Sequence, residues 1–225
     1  MGEGESRLPL VVLISGNGSN LQAIIDAARQ GLPVDIRAVI SNRADAYGLE
    51  RARAAGIPAE IVESKTFATR EDFERTLRER IDAHQPALLV LAGFMRILTS
   101  GFVQHYQGRM LNIHPSLLPE LRGLRTHARA LEAGARRHGA SVHFVTDELD
   151  GGPVVIQASV PVRPDDDEQR LATRVLEQEH RIYPMAIRWY AEGRLRLQKG
   201  VAQLDGKPMA GPYRIDNERI DQVCD

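Results

Sequence analysis

The sequence predicts an α/β fold built on a mostly parallel sheet. Short runs of Val, Ile and Leu alternate with helix-length amphipathic segments through the first half of the chain. These runs lack the polar alternation of a half-exposed sheet, as expected of parallel strands that are buried on both faces. Right-handed crossovers between such strands place helices on both faces of a twisted sheet, which is the Rossmann-like arrangement. After residue 114 two neighbouring strand-like runs predict a mixed C-terminal part.

Three strands and three helices are predicted in the first half. The strands, rich in branched apolar residues, are residues 10–14, 36–40 and 88–91. The helices, with apolar residues at helical spacing, are residues 21–29, 48–55 and 70–83. Thr69 is predicted to cap the third helix, with Asp72 three residues later.

The second half begins with a short strand at residues 109–113. Pro115 prevents its continuation as a central strand because proline has no backbone donor. Two further strands are predicted at residues 140–145 and 154–160, joined by a loop that is acidic and contains two glycines. Residues 168–190 show the amphipathic pattern of one long covering helix.

The bulk composition bounds the domain count and the partners. The length predicts a single domain over residues 1–225, with a core at about residues 9–197 and a loosely ordered tail at residues 199–225, where periodicity is lost. Lysine and arginine number 29 against 30 acidic residues, so no strong field attracts nucleic acid or a membrane surface. We therefore expect small-molecule partners.

The sequence lacks the segments that direct a protein into or across a membrane, and it lacks the residue spacing of a metal site. There is no run of about 18 apolar residues, and residues 2–6 are unlike a signal peptide, which predicts a cytoplasmic protein. The single cysteine, Cys224, excludes an internal disulfide. The seven histidines are scattered, so no metal site is predicted.

Asn112 and His114 are the first candidates for chemistry. Residues two apart on a strand share a face, so both side chains are expected to point together from a strand end where α/β sheets bind ligands. An amide and an imidazole together can polarise a carbonyl and move a proton. Asp150, in the acidic loop, is the best candidate to orient the histidine. The plainer alternatives are a structural histidine and simple turn chemistry at Asp150.

A glycine-rich loop at residues 16–20 (GNGSN) connects the first strand to the first helix. Small residues and free backbone amides at a helix N-terminus bind an anion, usually phosphate. The full dinucleotide fingerprint is absent because Leu21 occupies the place of the third glycine, and Arg43 gives only weak support for NADP. The alternatives are a tight turn without a ligand, or a helix cap formed by Ser19 or Asn20.

Four motifs in this order resemble the phosphoribosylglycinamide formyltransferase family, folate-dependent enzymes of purine synthesis. They are GNGSN at 16–20, AGFMRIL at 92–98, NIHPSLLP at 112–119 and HFVTDELDGG at 143–152. The resemblance covers roughly residues 11–195 and implies the Rossmann-like formyltransferase fold. Residues 120–125 (ELRGLR) depart from it, since relatives often have an aromatic residue before the glycine.

The resemblance implies that the formyl group of 10-formyltetrahydrofolate, a cosubstrate, is transferred to the amine of 5′-phosphoribosylglycinamide without a metal. Asn112 and His114 would stabilise the oxygen of a tetrahedral intermediate, with Asp150 tuning the histidine. The substrate phosphate would contact Gly18, Ser19 and Asn20, and Glu179 would lie near the amine. The residues implied to bind the folate are Arg70, Met95, Arg96, Ile97, Leu98, Asn112, Asp147, Glu148, Leu149, Gly151 and Gly152.

Two other functions stay open on the sequence alone. One is a formyltetrahydrofolate deformylase-like hydrolase, which shares the three chemical residues. The other is an NADP- or nucleotide-binding module without formyl chemistry. Arg70 and Glu179 have the plainer alternative of charges on helix surfaces, and the chain is expected to be a monomer or a homodimer.

Overall fold

The computed structural model describes residues 7–216, so the predictions on residues 2–6 and on Cys224 lie outside the described residues. The strands within this range are β1 (Leu8–Ile14), β2 (Val34–Ser41), β3 (Ala59–Ile61), β4 (Leu88–Leu91), β5 (Met110–His114), β6 (Arg137–Phe144), β7 (Val154–Pro161), β8 (Leu195–Gln198), β9 (Val201–Leu204), β10 (Lys207–Pro208) and β11 (Tyr213–Asp216). The α-helices are α1 (Ser19–Arg29), α2 (Gly48–Ala54), α3 (Arg70–Ala83), α4 (Ser100–His105), α5 (Thr126–Glu132) and α6 (Glu168–Ala191).

The main sheet has eight strands in the order β11-β7-β6-β5-β4-β1-β2-β3. The five strands from β3 to β5 run parallel, β6 runs antiparallel to both β5 and β7, and β11 pairs parallel with β7. The predicted α/β fold, with its mostly parallel sheet and a mixed C-terminal part, is confirmed. Because β1, β4 and β5 are adjacent and parallel, their carboxyl ends meet at one edge.

Helices cover both faces of the sheet, as the apolar runs predict. Alternate residues of β1 enter different cores because successive side chains of a strand point to opposite faces. Val12 and Ile14 join the core that contains α6, whereas Val11 and Leu13 pack in the core of α3 and α4. All four are fully buried, which explains the unbroken hydrophobic run.

Two helices are fixed by specific polar contacts. Thr69 Oγ1 accepts a hydrogen bond from the Asp72 N–H at 3.1 Å, so the predicted cap of α3 is confirmed. On α6 the buried Tyr183 hydroxyl lies 2.8 Å from the Leu91 carbonyl oxygen and 2.9 Å from that of Leu111. This contact ties α6 to β4 and β5 and fixes the position of Glu179, one helical turn earlier.

The predicted loosely ordered tail is wrong for residues 199–216. Strand β9 pairs with β8 and β10 in a three-stranded sheet, and β11 joins the edge of the main sheet beside β7. These strands are two to four residues long, too short to show a hydrophobic period, and backbone pairing orders them. Residues 217–225 lie outside the described range, and the single-domain organisation stays a prediction that the continuous main sheet supports.

Candidate active site

His114 and Asp150 form a buried pair. The Nδ1 atom of His114 lies 3.5 Å from Asp150 Oδ2, and their side chains are only 7% and 9% exposed. The His114 Nε2–H donates to the Leu121 carbonyl at 3.0 Å, and the Gly123 N–H donates to Asp150 Oδ2 at 2.9 Å. A doubly protonated ring donates to both acceptors, whereas a neutral ring with this Nε2–H turns a lone pair toward the carboxylate. The geometry therefore fits an imidazolium–carboxylate pair.

Asn112 lies beside this pair and contacts a second histidine. Its Nδ2 atom is 3.0 Å from Nε2 of His143, its cross-strand partner on β6. His143 is fully enclosed, its Nδ1 atom lies 2.8 Å from the Phe144 carbonyl oxygen, and burial lowers its pKa. Asp150 approaches this ring as well, with Oδ1 3.8 Å from His143 Nε2. The structure thus brings Asn112, His114 and Asp150 together around His143.

A cavity, called the β5 cavity here, opens beside these residues. Its lining comes from β4, β5, β6, α4, the segment after β4 and residues 145–150, which include most of the acidic loop. The lining residues are Leu91, Phe94, Arg96, Ile97, Leu98, Val103, Asn112, His143, Val145, Thr146, Asp147, Glu148, Leu149 and Asp150. Apolar walls with a few polar groups suit a flat heterocycle.

Four residues implied to bind folate lie outside this lining. Arg70 is exposed at the first position of α3. Met95 is 67% exposed, and its N–H donates to Ser15 Oγ. Gly151 and Gly152 follow Asp150 at the end of the acidic loop, where a Cβ on Gly152 would lie 1.9 Å from the Phe144 carbonyl oxygen.

The glycine loop, residues 16–20, turns directly into α1. Gly18 has a left-handed φ of +74°, and a Cβ on it would lie 2.7 Å from the Gly48 Cα. Arg51 holds the loop through its Nε and Nη2 atoms, which donate to the backbone and side-chain oxygens of Asn17 at 2.9 Å each. No side-chain hydrogen bond caps α1, so the alternative of a Ser19 or Asn20 cap is wrong. The first N–H groups of an α-helix have no partner within the helix, as an anion site requires.

Asn20 and Glu179 are brought together at this end of the sheet. Asn20 Nδ2 donates to Glu179 Oε2 at 2.6 Å, and both residues are buried. Burial raises the pKa of Glu179 to about 6, against the lowering effect of the Asn20 hydrogen bond. Asn20 Oδ1 is buried and has no hydrogen-bond partner among the described residues. Glu179 is therefore part of a polar cluster beside the glycine loop, and the alternative of a surface charge is wrong.

The sequence analysis missed the groups that hold the candidate residues in place. The Leu121 carbonyl and the Gly123 N–H act through the backbone, so no residue type signals them. The contact between Asn112 and His143 depends on the pairing of β5 with β6. That pairing was not predicted, because the chain travels through α5 before it returns.

Within residues 7–216, no cluster of three or more His, Cys, Asp or Glu side chains is placed to hold a metal ion. None of the helices in that range combines the length and hydrophobicity that crossing a membrane requires.

A family model described as formyl transferase matches residues 8–187 of the chain. The chain belongs to the formyl transferase family. A phosphoribosylglycinamide formyltransferase of Escherichia coli is 58% identical over 199 residues, which cover 88% of this chain and 94% of the relative. The resemblance seen in the sequence motifs is confirmed. Because the chain belongs to the formyl transferase family, it is a transferase.

Further members of the formyl transferase family agree in sequence and in structure. A phosphoribosylglycinamide formyltransferase of Haemophilus influenzae is 49% identical over 201 residues, covering 89% of this chain and 95% of the relative. The solved structure of the Coxiella burnetii phosphoribosylglycinamide formyltransferase superposes with a TM-score of 0.89 at 56% identity, covering 92% of this chain and 99% of that one.

Proposed function

We propose that this protein transfers the formyl group of 10-formyltetrahydrofolate to the amine of 5′-phosphoribosylglycinamide, a step of de novo purine biosynthesis. The observation that carries the proposal is the buried His114–Asp150 pair next to Asn112, with Asn112 and Asp150 in the wall of the β5 cavity. The names of the relatives support the choice of acceptor. The other proposed properties are a single domain, a cytoplasmic location, a monomer or homodimer, and small molecules as the only partners.

The reaction needs a group that stabilises negative charge on the formyl oxygen. The amine nitrogen bonds to the formyl carbon while the carbonyl electron pair moves to oxygen, and collapse of this intermediate breaks the bond to the folate nitrogen. An Asn112 Nδ2–H is proposed to donate to the developing oxyanion. The attacking amine loses a proton and the leaving folate nitrogen gains one.

His114 is proposed to donate to the same oxygen and to move the proton, with Asp150 stabilising the imidazolium. In the present geometry the His114 Nε2–H donates to the Leu121 carbonyl and Nδ1 faces Asp150. Donation to the formyl oxygen therefore requires the hydrogen bond to Leu121 to exchange for one to the substrate. The exchange replaces one hydrogen bond of ordinary length, 3.0 Å to the Leu121 carbonyl oxygen, with another to the formyl oxygen.

The acceptor is proposed to bind beside the glycine loop. Its phosphate would contact the backbone and side chains of Gly18, Ser19 and Asn20, where the positive end of α1 favours an anion. Glu179 would orient the amine, since it lies within hydrogen-bond distance of Asn20. The polar cluster thus joins the proposed phosphate end of the substrate to its reacting end.

The donor is proposed to place its pterin ring in the β5 cavity, between residues 96–98 and the acidic loop. Arg96, Asp147 and Glu148 supply the polar groups there, and Ile97, Leu98 and Leu149 the apolar contacts. Arg70, Met95, Gly151 and Gly152 stay proposed folate contacts at the rim of the site. The donor is a cosubstrate, and the reaction is proposed to run without a metal ion.

A spectrophotometric assay of tetrahydrofolate release tests the proposal. Release is expected only when both the folate donor and the ribonucleotide amine are present. Equal release with water alone would instead identify a deformylase. Titration with NADPH and with a folate analogue distinguishes formyl transfer from the alternative of an NADP-binding module. Tight NADPH binding without folate binding would contradict formyl transfer.

A further inference from the structure

We infer that His143 is a positioning residue that fixes the orientation of the Asn112 amide, so that an Asn112 N–H faces the formyl oxygen. The inference rests on the proposed formyl transfer and goes beyond it. It assigns a role to a histidine that the proposed chemistry does not use. Three properties carry it: the tautomer of the His143 ring, the two-fold ambiguity of an amide, and the occupation of both His114 nitrogens.

The tautomer of His143 follows from its contacts. A carbonyl oxygen can only accept, so the ring nitrogen 2.8 Å from the Phe144 oxygen, Nδ1, carries the hydrogen. The ring is 2% exposed, and burial favours its neutral form. A neutral ring has one N–H, and therefore Nε2 presents a lone pair to Asn112.

This lone pair distinguishes the two orientations of the Asn112 side chain. An amide group rotated by 180° exchanges its oxygen and nitrogen with little change in shape. With Nδ2 toward His143, the 3.0 Å contact is a hydrogen bond. With Oδ1 there instead, two lone pairs would face each other in a buried site, which is costly. His143 therefore keeps the NH₂ group on one side, with a second N–H left for a ligand of the β5 cavity, which both residues line.

His143 is itself held rigidly. It is the cross-strand partner of Asn112 in the antiparallel pair of β5 and β6, and its backbone neighbour supplies the acceptor for Nδ1. A strand-borne group with a fixed tautomer orients a neighbour more precisely than a mobile loop does.

The orientation of the Asn112 amide matters because His114, the other proposed donor to the formyl oxygen, already contacts acceptors of the protein. Both ring nitrogens of His114 face protein acceptors, the Leu121 carbonyl and Asp150. Of the two proposed oxyanion donors, Asn112 is thus the one with an N–H left for the β5 cavity before any hydrogen bond of His114 is exchanged. A flipped amide would turn an oxygen toward the developing oxyanion and repel it.

The first test compares two substitutions of His143 by steady-state kinetics. His143→Leu removes the acceptor, and we expect kcat to fall by about 10- to 100-fold, while KM for the folate donor changes by less than about 3-fold, since losing an oxyanion donor costs up to ~10²–10³ in rate. His143→Gln keeps an acceptor oxygen and is expected to recover most of kcat. His84→Leu, on the end of α3 far from this site, is the matched control. Equal kcat losses in the Leu and Gln variants would overturn the inference.

A double-mutant cycle shows whether His143 acts through Asn112. In an Asn112→Ala background, His143→Leu is expected to cost less than about 3-fold in kcat, because the group that it positions is already absent. The same fold-loss in both backgrounds would overturn the inference. Thermal unfolding of each variant separates these effects from loss of folding.

A third measurement uses the unmodified protein and needs no activity. Nitrogen-15 NMR is expected to show His143 protonated at Nδ1 only, with a hydrogen bond from Asn112 Nδ2 to Nε2. A proton on Nε2 would overturn the inference whether or not the variants fold. If the unmodified protein fails to transfer formyl groups, the proposed function falls, and the NMR result still decides the orientation of the amide.

Discussion

At the scale of single residues, the negative charge of Asp150 can be removed by a substitution that keeps the shape of the side chain. Asp150→Asn keeps an oxygen that can accept from the Gly123 N–H and removes the charge that faces His114. We expect kcat to fall by about 100-fold or more with little change in KM, because the charge stabilises the imidazolium that the reaction requires. Steady-state kinetics measure this, with the exposed Asp165→Asn as the control. A kcat within threefold of the unmodified enzyme would contradict the proposed role.

Glu179 gives a pH dependence of known sign. Burial raises the pKa of Glu179 to about 6, so the carboxyl is neutral below that pH and charged above it. If the charged form orients the amine, kcat/KM for the ribonucleotide rises as pH increases through about 6. The ratio of unmodified enzyme to Glu179→Gln, followed from about pH 5 to 8, isolates this group because titration of the substrate cancels. A ratio that does not vary with pH would show that the charge is not used.

The chemical residues could be predicted because their signals are local. Asn112 and His114 are two apart on a strand that ends at Pro115, and this spacing alone places them on one face. The role inferred for His143 could not be predicted in the same way. It depends on a ring tautomer and on cross-strand register, and neither is encoded in the spacing of residues along the chain.

At the scale of elements, the turn between β1 and α1 depends on close backbone approach. Gly18→Ala would add a side chain at a left-handed φ, with its Cβ 2.7 Å from the Gly48 Cα. The left-handed backbone alone costs about 1–2 kcal/mol, so the free energy of unfolding is expected to fall by at least that much. KM for the ribonucleotide is expected to rise as the loop is displaced.

Gly16→Ala is the matched control for this turn. A Cβ on Gly16 meets no atom within 4 Å, although the residue belongs to the same loop. Urea unfolding and the KM for the ribonucleotide are measured for both variants. Equal effects at Gly16 and Gly18 would show that the turn geometry is not the cause.

The elements that could be predicted are those with a period long enough to detect. Helix α3 has the predicted bounds because a capping threonine and an amphipathic pattern coincide there. The short strands β8 to β11 have no such signal, since at most four residues form each one. β8, β9 and β10 pair with their neighbours along the chain, whereas β11 pairs with the distant strand β7, and a pairing of that kind is not contained in a local pattern.

At the scale of the whole molecule, the buried His138 and its half-buried neighbour His127 make stability depend on pH. His138 Nε2 lies 3.2 Å from His127 Nδ1, and burial lowers the pKa of His138 to about 4. Between about pH 4 and 6.5 the unfolded chain therefore binds more protons than the folded one, and stability is lost as pH falls through this window.

Urea unfolding at several pH values tests this dependence. The free energy of unfolding is expected to decrease from pH 7 toward pH 5, and His138→Leu is expected to make the decrease shallower. His105→Leu, on the exposed surface, is the control and should leave the slope unchanged. A slope unaffected by the loss of His138 would assign the pH dependence to other groups.

The overall architecture could be predicted because burial on both faces leaves an unbroken apolar run. Five consecutive residues of β1 and all four of β4 are buried. Such an unbroken apolar run is visible in the sequence alone. The order of the strands in the sheet is harder to predict from the sequence. Strand β6 joins β5 only after the chain has passed through α5, and the closure of such a long segment depends on contacts across the whole sheet.

The backbone contacts from residues 121 and 123 have a consequence for how this site changes over time. The Leu121 carbonyl and the Gly123 N–H hold His114 and Asp150 without using a side chain. Residue 121 contributes only its carbonyl, so its side chain can change over evolution while the contact with His114 persists, whereas residue 123 has a left-handed φ of +78° that favours glycine. An alanine at residue 121 would therefore leave the carbonyl contact with His114 undetected.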